Sequence, residues 1–261
     1  MHIMVCIKQV PATSQVEVDE RTGVLKRDGS AAKINPYDLY ALEAALKLRE
    51  ETDGRVDVIS MGPPQAKAAL LEALHIGADA GYLLTDRRFA GSDVLATARA
   101  LCAGILACGR YDLILCGKQT TDGDTAQVGP EVAELLGIEH ASYVQRLTAD
   151  SQAVVAEINM GEGTLVQRIP FPCLLTVEKD INTPRLPSYR RSLTMDEQQI
   201  TVRTLGDLAA DDPRLYGLSG SPTQVERIFP PEAQTGRVYW TGTAEQIADQ
   251  AYALLAARKY I

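Results

Sequence analysis

Along the first half of the chain, continuous apolar runs rich in β-branched residues alternate with segments whose apolar residues recur every three or four positions. Gly, Pro or Asp marks each change. The runs Ile3–Val10, Val56–Met61, Tyr82–Thr85 and Leu113–Gly117 read as strands. Between them, Leu39–Arg49 puts Leu39, Leu42 and Leu46 on one helical face, Gln65–His75 forms a second helix, and Val94–Ala107 carries Val94, Leu95, Ala98, Leu101, Cys102, Ile105 and Leu106 at a helical period. Apolar strands joined by helices predict a parallel sheet covered on both faces, the doubly wound α/β class. After Gly137 the pattern changes to the short alternating runs Ser142–Leu147, Val154–Asn159, Thr164–Ile169 and Cys173–Val177, expected as antiparallel strands at one edge of the sheet.

Two stretches break the alternation. The connection from Pro11 to Pro36 is long, and within it Gln15–Asp19 and Val24–Arg27 flank ERTG, which reads as a small hairpin excursion turning at Gly23. From Asn182 to about Pro231, prolines at 184, 187, 213, 222, 230 and 231 interrupt every period, and a final helix follows with Ile247, Ala251, Leu254 and Leu255 on one stripe. So long an irregular segment ending in an amphipathic helix reads as an extended arm laid across a partner subunit, with a self-packed tail as the alternative. The expected organisation is an α/β domain over residues 1–181, a loop and arm over 182–231, and the arm's end with its helix over 232–261.

Composition narrows the partners. The net charge of −8 and pI near 5.0 speak against nucleic acid, and the basic residues are scattered, with a dense spot at Arg190–Arg191. No run approaches 18 uninterrupted apolar residues, and MHIMVCIKQV reads as a strand rather than a signal peptide, so a cytoplasmic protein is expected. Cys6, Cys102, Cys108, Cys116 and Cys173 contain no CxxC pair and read as buried free thiols, while His2, His75 and His140 show no ligand spacing for a metal.

In such a sheet ligands bind beyond the carboxyl ends of the strands, where the segments are KQVPAT, GPPQA, DRRFAGSD and GKQTTDGDTAQVGP. Several lead into helices, so backbone N–H groups and helix dipoles converge on a nucleotide or phosphate site. No P-loop, GxGxxG or GxSxG motif occurs. Asp122 and Asp124 read as turn formers and a helix cap rather than an acid/base pair, and Pro130 predicts an irregular first turn or a helix beginning near Gly129.

These segments carry a resemblance. VCIKQVP, INPYDLYALEAAL, GPPQA, ALHIGAD and GKQTTDGDTAQVGP, in this order and spacing, resemble the β subunit of electron-transfer flavoproteins over the whole chain. The resemblance implies an adenine-nucleotide-binding (HUP-like) doubly wound fold and a heterodimer with an α subunit that carries a redox FAD. In the ordinary branch the β subunit holds structural AMP. In the electron-bifurcating branch the same pocket holds a second FAD, which takes hydride from NADH and divides the pair between ferredoxin or flavodoxin and, through the α-subunit FAD, an acyl-CoA dehydrogenase type partner. MGPPQA, RRFAGSDVLATA and GLSGSPTQV resemble the bifurcating branch, although Val94 and Ala98 stand where that branch commonly has Thr and Ser.

Position by position, the resemblance implies nucleotide contacts at Cys6, Asn35, Met61 and Gly62. It implies a loop of backbone donors from Asp122 through Gly123, Asp124, Thr125, Ala126, Gln127 and Val128 to Gly129, and a flavin end at Ser92, Asp93 and Thr97. Cys6 and Met61 as plain core residues, and Asn35 and Ser92 as helix caps, remain alternatives. NTPRLPSYRRSL falls at the family's partner-recognition loop, with Tyr189 and Arg190 as anchors.

Overall fold

The structure, a computed structural model, describes residues 1–12, 32–209, 212–226, 237 and 239–261. By internal packing the chain forms two units, Met1–Val225 and Glu226–Ile261. The predicted hairpin around Gly23 lies outside the described residues. Among the described residues, β2 (Gln9–Pro11) pairs antiparallel with β3 (Ala32–Ile34), so the first predicted strand is two, β1 (His2–Cys6) and β2.

In the first unit β1 stands beside β4 (Arg55–Met61) and β6 (Leu113–Gly117). Beyond β4 come β5 (Ala80–Leu84) and β11 (Ile200–Arg203). Beyond β6 come β10 (Cys173–Val177), β7 (Glu139–Ala149), β8 (Ala153–Asn159) and β9 (Thr164–Pro170). Pairing is parallel from β11 through to β7 and antiparallel at β7–β8 and β8–β9.

Two expectations are corrected here. Cys173–Val177 is an inner strand running parallel to both neighbours, and all five of its residues are buried, which is the demand its unbroken apolar run expresses. The 182–231 stretch, weak in local signal, supplies an edge strand at Ile200–Arg203 and the fully buried Tyr216, so its residues up to Val225 pack with the first unit. Residues of this kind are ordered by what they pack against rather than by local propensity.

Side-chain alternation sorts the helices. Ile3, Val5, Leu113 and Leu115 face one layer, covered by α1 (Pro36–Thr52) and α2 (Lys67–Ile76). Met4, Cys6, Ile114 and Cys116 face the other, covered by α3 (Val94–Cys108) and α4 (Val128–Leu136). All five cysteines are free thiols, with Cys6, Cys102, Cys116 and Cys173 buried.

The short helix α5 (Tyr189–Ser192) sits against α2: Ser188 N–H donates to His75 O at 2.9 Å and Arg191 Nε donates to Leu74 O at 2.7 Å. A second short helix, α6 (Gly217–Gly220), follows Tyr216. In the second unit, α7 (Ala244–Ala257) opens with a reciprocal capping box between Thr243 and Gln246, and none of its residues is buried. Among the described residues no helix is long and apolar enough to cross a membrane.

Gly117 lets α1 pack closely on β6, since a Cβ there would lie 2.6 Å from the carbonyl carbon of Tyr37. Gly117→Ala is therefore expected to cost about 1–3 kcal/mol and lower Tm by several degrees. An unchanged thermal midpoint would show that this approach has slack.

Candidate functional site

β1 and β6 are neighbours whose onward connections part. After β1 the chain moves to β4 and β5 on one side, then returns through α3 to β6 on the other. The crevice beyond their carboxyl ends is the topological switch point, where open α/β sheets place ligands. Residues 7–12 and 118–127 leave from its two sides.

Its floor is polar and buried. Asn35 precedes α1, and Pro36 at the first helical position presets the turn. The Asn35 side chain makes no helix cap but turns inward. Its Nδ2 donates to Asp38 Oδ1 and to Gln119 O, both at 2.9 Å, and its Oδ1 accepts from Thr121 N–H at 3.2 Å. Asp38 Oδ2 accepts from Lys8 N–H at 2.8 Å, and Asn35 N–H donates to Lys8 O at 2.8 Å. Asn35 is 0 % exposed and Asp38 5 %. Burial pushes the Asp38 carboxyl up to about 7, against the opposing pull of Asn35 and of the Lys8 and Gly117 N–H groups.

The wall is the loop after β6. Lys118 is not aimed at the crevice: its ammonium pairs with Glu178 at 3.2 Å and lies 4.9 Å from the Tyr143 ring centre. Lys8 Nζ reaches across to Asp122 at 2.7 Å, holding that carboxyl below its usual range against the effect of partial burial. Asp124 accepts from the Gln119 side-chain amide, and its own N–H donates to Thr120 O at 2.9 Å. Neither aspartate caps α4, whose N-cap is Gln127 with no side-chain bond, so the cap expectation is corrected. Asp124 and Ala126 have φ of 54° and 56°, and Gln127 returns to the right-handed region.

Such alternation turns successive N–H groups to one side. The N–H groups of residues 125–129 donate to no acceptor among the described residues. The helix starts at Val128 with Pro130 third, where a missing donor costs no helical bond, as the sequence leads one to expect. Gly129 lets α4 seat on β10, since a Cβ would lie 2.5 Å from Thr176 Cγ2. The result is a group of free donors at a helix N-terminus, suited to an anion without any arginine.

The opposite rim belongs to α3. Cys6 and Met61 line the sheet side, buried and half-buried, and Gly62 N–H donates to Leu84 O at 3.0 Å. Ser92 Oγ donates to Phe89 O at 2.8 Å and accepts from Gly217 N–H at 3.1 Å. Asp93 caps α3 through Ala96 N–H at 3.0 Å. It also accepts from Thr223 N–H and Oγ1 at 3.0 and 2.7 Å, while its own N–H donates to Ser221 Oγ at 2.8 Å. Thr97 lies half-buried one turn on. Glu131, in the first turn of α4, has its carboxyl raised by burial and then by the Asp93 charge.

The profile of the electron transfer flavoprotein domain matches residues 22–207. The electron transfer flavoprotein subunit beta of Thermoanaerobacterium thermosaccharolyticum is 42% identical over 100% of both chains. This chain belongs to the β-subunit family of electron-transfer flavoproteins. Within that family it is also similar to the caffeyl-CoA reductase-Etf complex subunit CarD of Acetobacterium woodii, 43% identical over 93% of each chain. The FixA protein of Bradyrhizobium diazoefficiens is 42% identical over 95% of this chain and 88% of its own length.

The fold thus brings Cys6, Asn35 and the 122–129 loop to one crevice, with Met61 at the end of β4, Gly62 just after it, and Ser92, Asp93 and Thr97 after β5. Tyr189 and Arg190 sit apart on α5, and Tyr189 is 79 % exposed. Sequence reasoning missed Lys8, Asp38, Ser221 and Thr223. Asp38 stands three residues after Asn35 in NPYD, a spacing that admits a side-chain pair, but an acid in a first helical turn is ordinarily a solvated dipole partner.

The Asp38 carboxyl binds its proton more tightly in the folded chain than at its ordinary value of 3.8. Its contribution therefore favours the fold fully below about pH 4 and is lost as pH rises to about 7, on the order of 4 kcal/mol in all. Measured against Asp38→Asn, the wild type should lose relative stability across that window and hold level above it. A gap in Tm that stays constant from pH 4 to 8 would contradict the assignment.

Proposed function

We propose that this chain is the β subunit of an electron-bifurcating electron-transfer flavoprotein, working in the cytoplasm with an α subunit and holding FAD in the switch-point crevice. The observation that carries FAD over AMP is the second rim. Ser92 and Asp93 at the start of α3 are clasped to Gly217, Ser221 and Thr223, which builds a wall beyond the phosphate loop that a mononucleotide does not need. The likeness to the subunit of a caffeyl-CoA reductase-Etf complex favours the same reading and an acyl-CoA dehydrogenase type partner.

The residues present suit the cofactor. The N–H groups of residues 125–129 and the α4 dipole would take the pyrophosphate, and the two carboxylates of the loop are engaged, Asp122 by Lys8 and Asp124 by Gln119. Cys6, Met61 and Gly62 offer an apolar lining on the sheet side, and Thr97 and the α3 N-terminus would face the ring end. FAD bound there supplies hydride acceptance from NADH and division of the electron pair between ferredoxin or flavodoxin and the α-subunit FAD. The chain's own work is to bind, to orient and to keep water from the ring.

Partner docking falls to α5. Tyr189, with Leu186 and Leu193, is exposed on a segment anchored by Arg191 to α2 and by Arg185 to Glu43 and Glu50 of α1. A rigidly held exposed aromatic makes a good interface anchor.

Two measurements test these readings. The purified heterodimer should contain two FAD and reduce ferredoxin with NADH only when the dehydrogenase partner and an enoyl-CoA that it can reduce are also present; one FAD plus AMP would return the chain to the structural-AMP branch. Tyr189→Ala should slow reduction of the dehydrogenase partner about tenfold or more at unchanged flavin content. Full activity in that variant would remove α5 from the interface.

A further inference from the structure

Asn35 lies where the family resemblance implies a nucleotide contact, yet its side chain has little left to offer a ligand. Two donor bonds and one acceptor bond are already made within the protein, and the residue is wholly buried. An asparagine amide has two donors and an acceptor oxygen with two lone pairs, so one lone pair is all that remains.

The bonds run in a closed circuit. Asp38 holds the Asn35 amide through Oδ1 and the Lys8 N–H through Oδ2. Asn35 in turn holds Gln119 O and Thr121 N–H, the first turn of the loop after β6. Lys8 closes the outer side on Asp122 of the same loop. Gln119 then holds Asp124, the residue at which the backbone enters the left-handed region that aims the following N–H groups. Gly117 admits the circuit by leaving room for Asp38 beside β6.

We propose that Asn35 and Asp38 are positioning residues: their side chains hold the 118–124 loop so that the N–H groups of residues 125–129 point into the crevice, and Asn35 does not bind the nucleotide through its amide. The inference rests on the nucleotide reading of the crevice but concerns a geometry that exists before any nucleotide arrives. Desolvation of two polar side chains is repaid by backbone groups that otherwise need water, and the loop gains one conformation.

The test uses the α/β heterodimer carrying Asn35→Ala or Asp38→Asn, with hydrogen exchange of residues 118–129 and titration by FAD and AMP. Both variants should exchange faster through this segment without added nucleotide, and both should weaken binding of the retained nucleotide by about tenfold or more. An Asn35→Ala variant that loses affinity while its loop exchanges as in the wild type would make Asn35 a contact and overturn the proposal. So would wild-type exchange in both variants. If the variants do not fold, the wild-type heterodimer labelled with 15N-asparagine decides. The Asn35 side-chain amide protons should be protected before nucleotide is added and shift little on its addition, whereas unprotected protons or a large shift would overturn the proposal. A wild type that takes up neither FAD nor AMP would defeat the nucleotide reading of the crevice, while the exchange data would still decide the role of the pair.

Discussion

The arrangement depends on filling the gap that opens where β1 and β6 send the chain in opposite directions. Any strand pair at a switch point leaves backbone groups at its carboxyl ends without sheet partners, and they must be satisfied or left wet. Here a buried Asn–Asp pair from the start of α1 does it: Asp38 takes the Lys8 N–H and Asn35 takes both a carbonyl and an N–H of the 119–121 turn. The cost is a carboxylate in a dry place, visible in its raised proton affinity. The gain is a loop held from beneath, with its outer face left for a ligand.

That division of labour explains why an acidic loop can serve an anion. Asp122 and Asp124 are engaged by Lys8 and Gln119, and the donors offered outward are N–H groups alone. Lys118, the one cation in the motif, is drawn off to Glu178 and the Tyr143 ring. A cradle of backbone donors with a helix dipole behind it needs no arginine, and it fixes a phosphate by geometry more than by charge.

The second rim extends the same logic. Asp93 is both the cap of α3 and the clasp on residues 221–223, so a helix start and a distant irregular segment are ordered by one carboxylate. Burial works to raise its proton affinity, yet four hydrogen-bonding groups, the Ala96 N–H, two from Thr223 and the Ser221 hydroxyl, hold it below its usual range. The irregular segment from 182 onward is therefore part of the α/β unit as far as Val225, tied down by strand pairing at Ile200–Arg203, by the buried Tyr216 and by this clasp.

The sequence by itself determined the α/β alternation, the two faces of β1 and β6, the helix beginning just before Pro130 and the family, because periodicity, breakers and motif spacing are local properties. It also marked the loops that line the crevice. Only the tertiary structure decided that Cys173–Val177 is an inner parallel strand, since pairing partners are set by what lies alongside. It alone turned the Asn35 amide toward residues 84 and 86 positions away and made Asp38, an ordinary first-turn acid in the sequence, the carboxylate that holds it. Contacts across such separations leave no local period to read, and a buried polar pair is chosen by the unsatisfied groups that surround it.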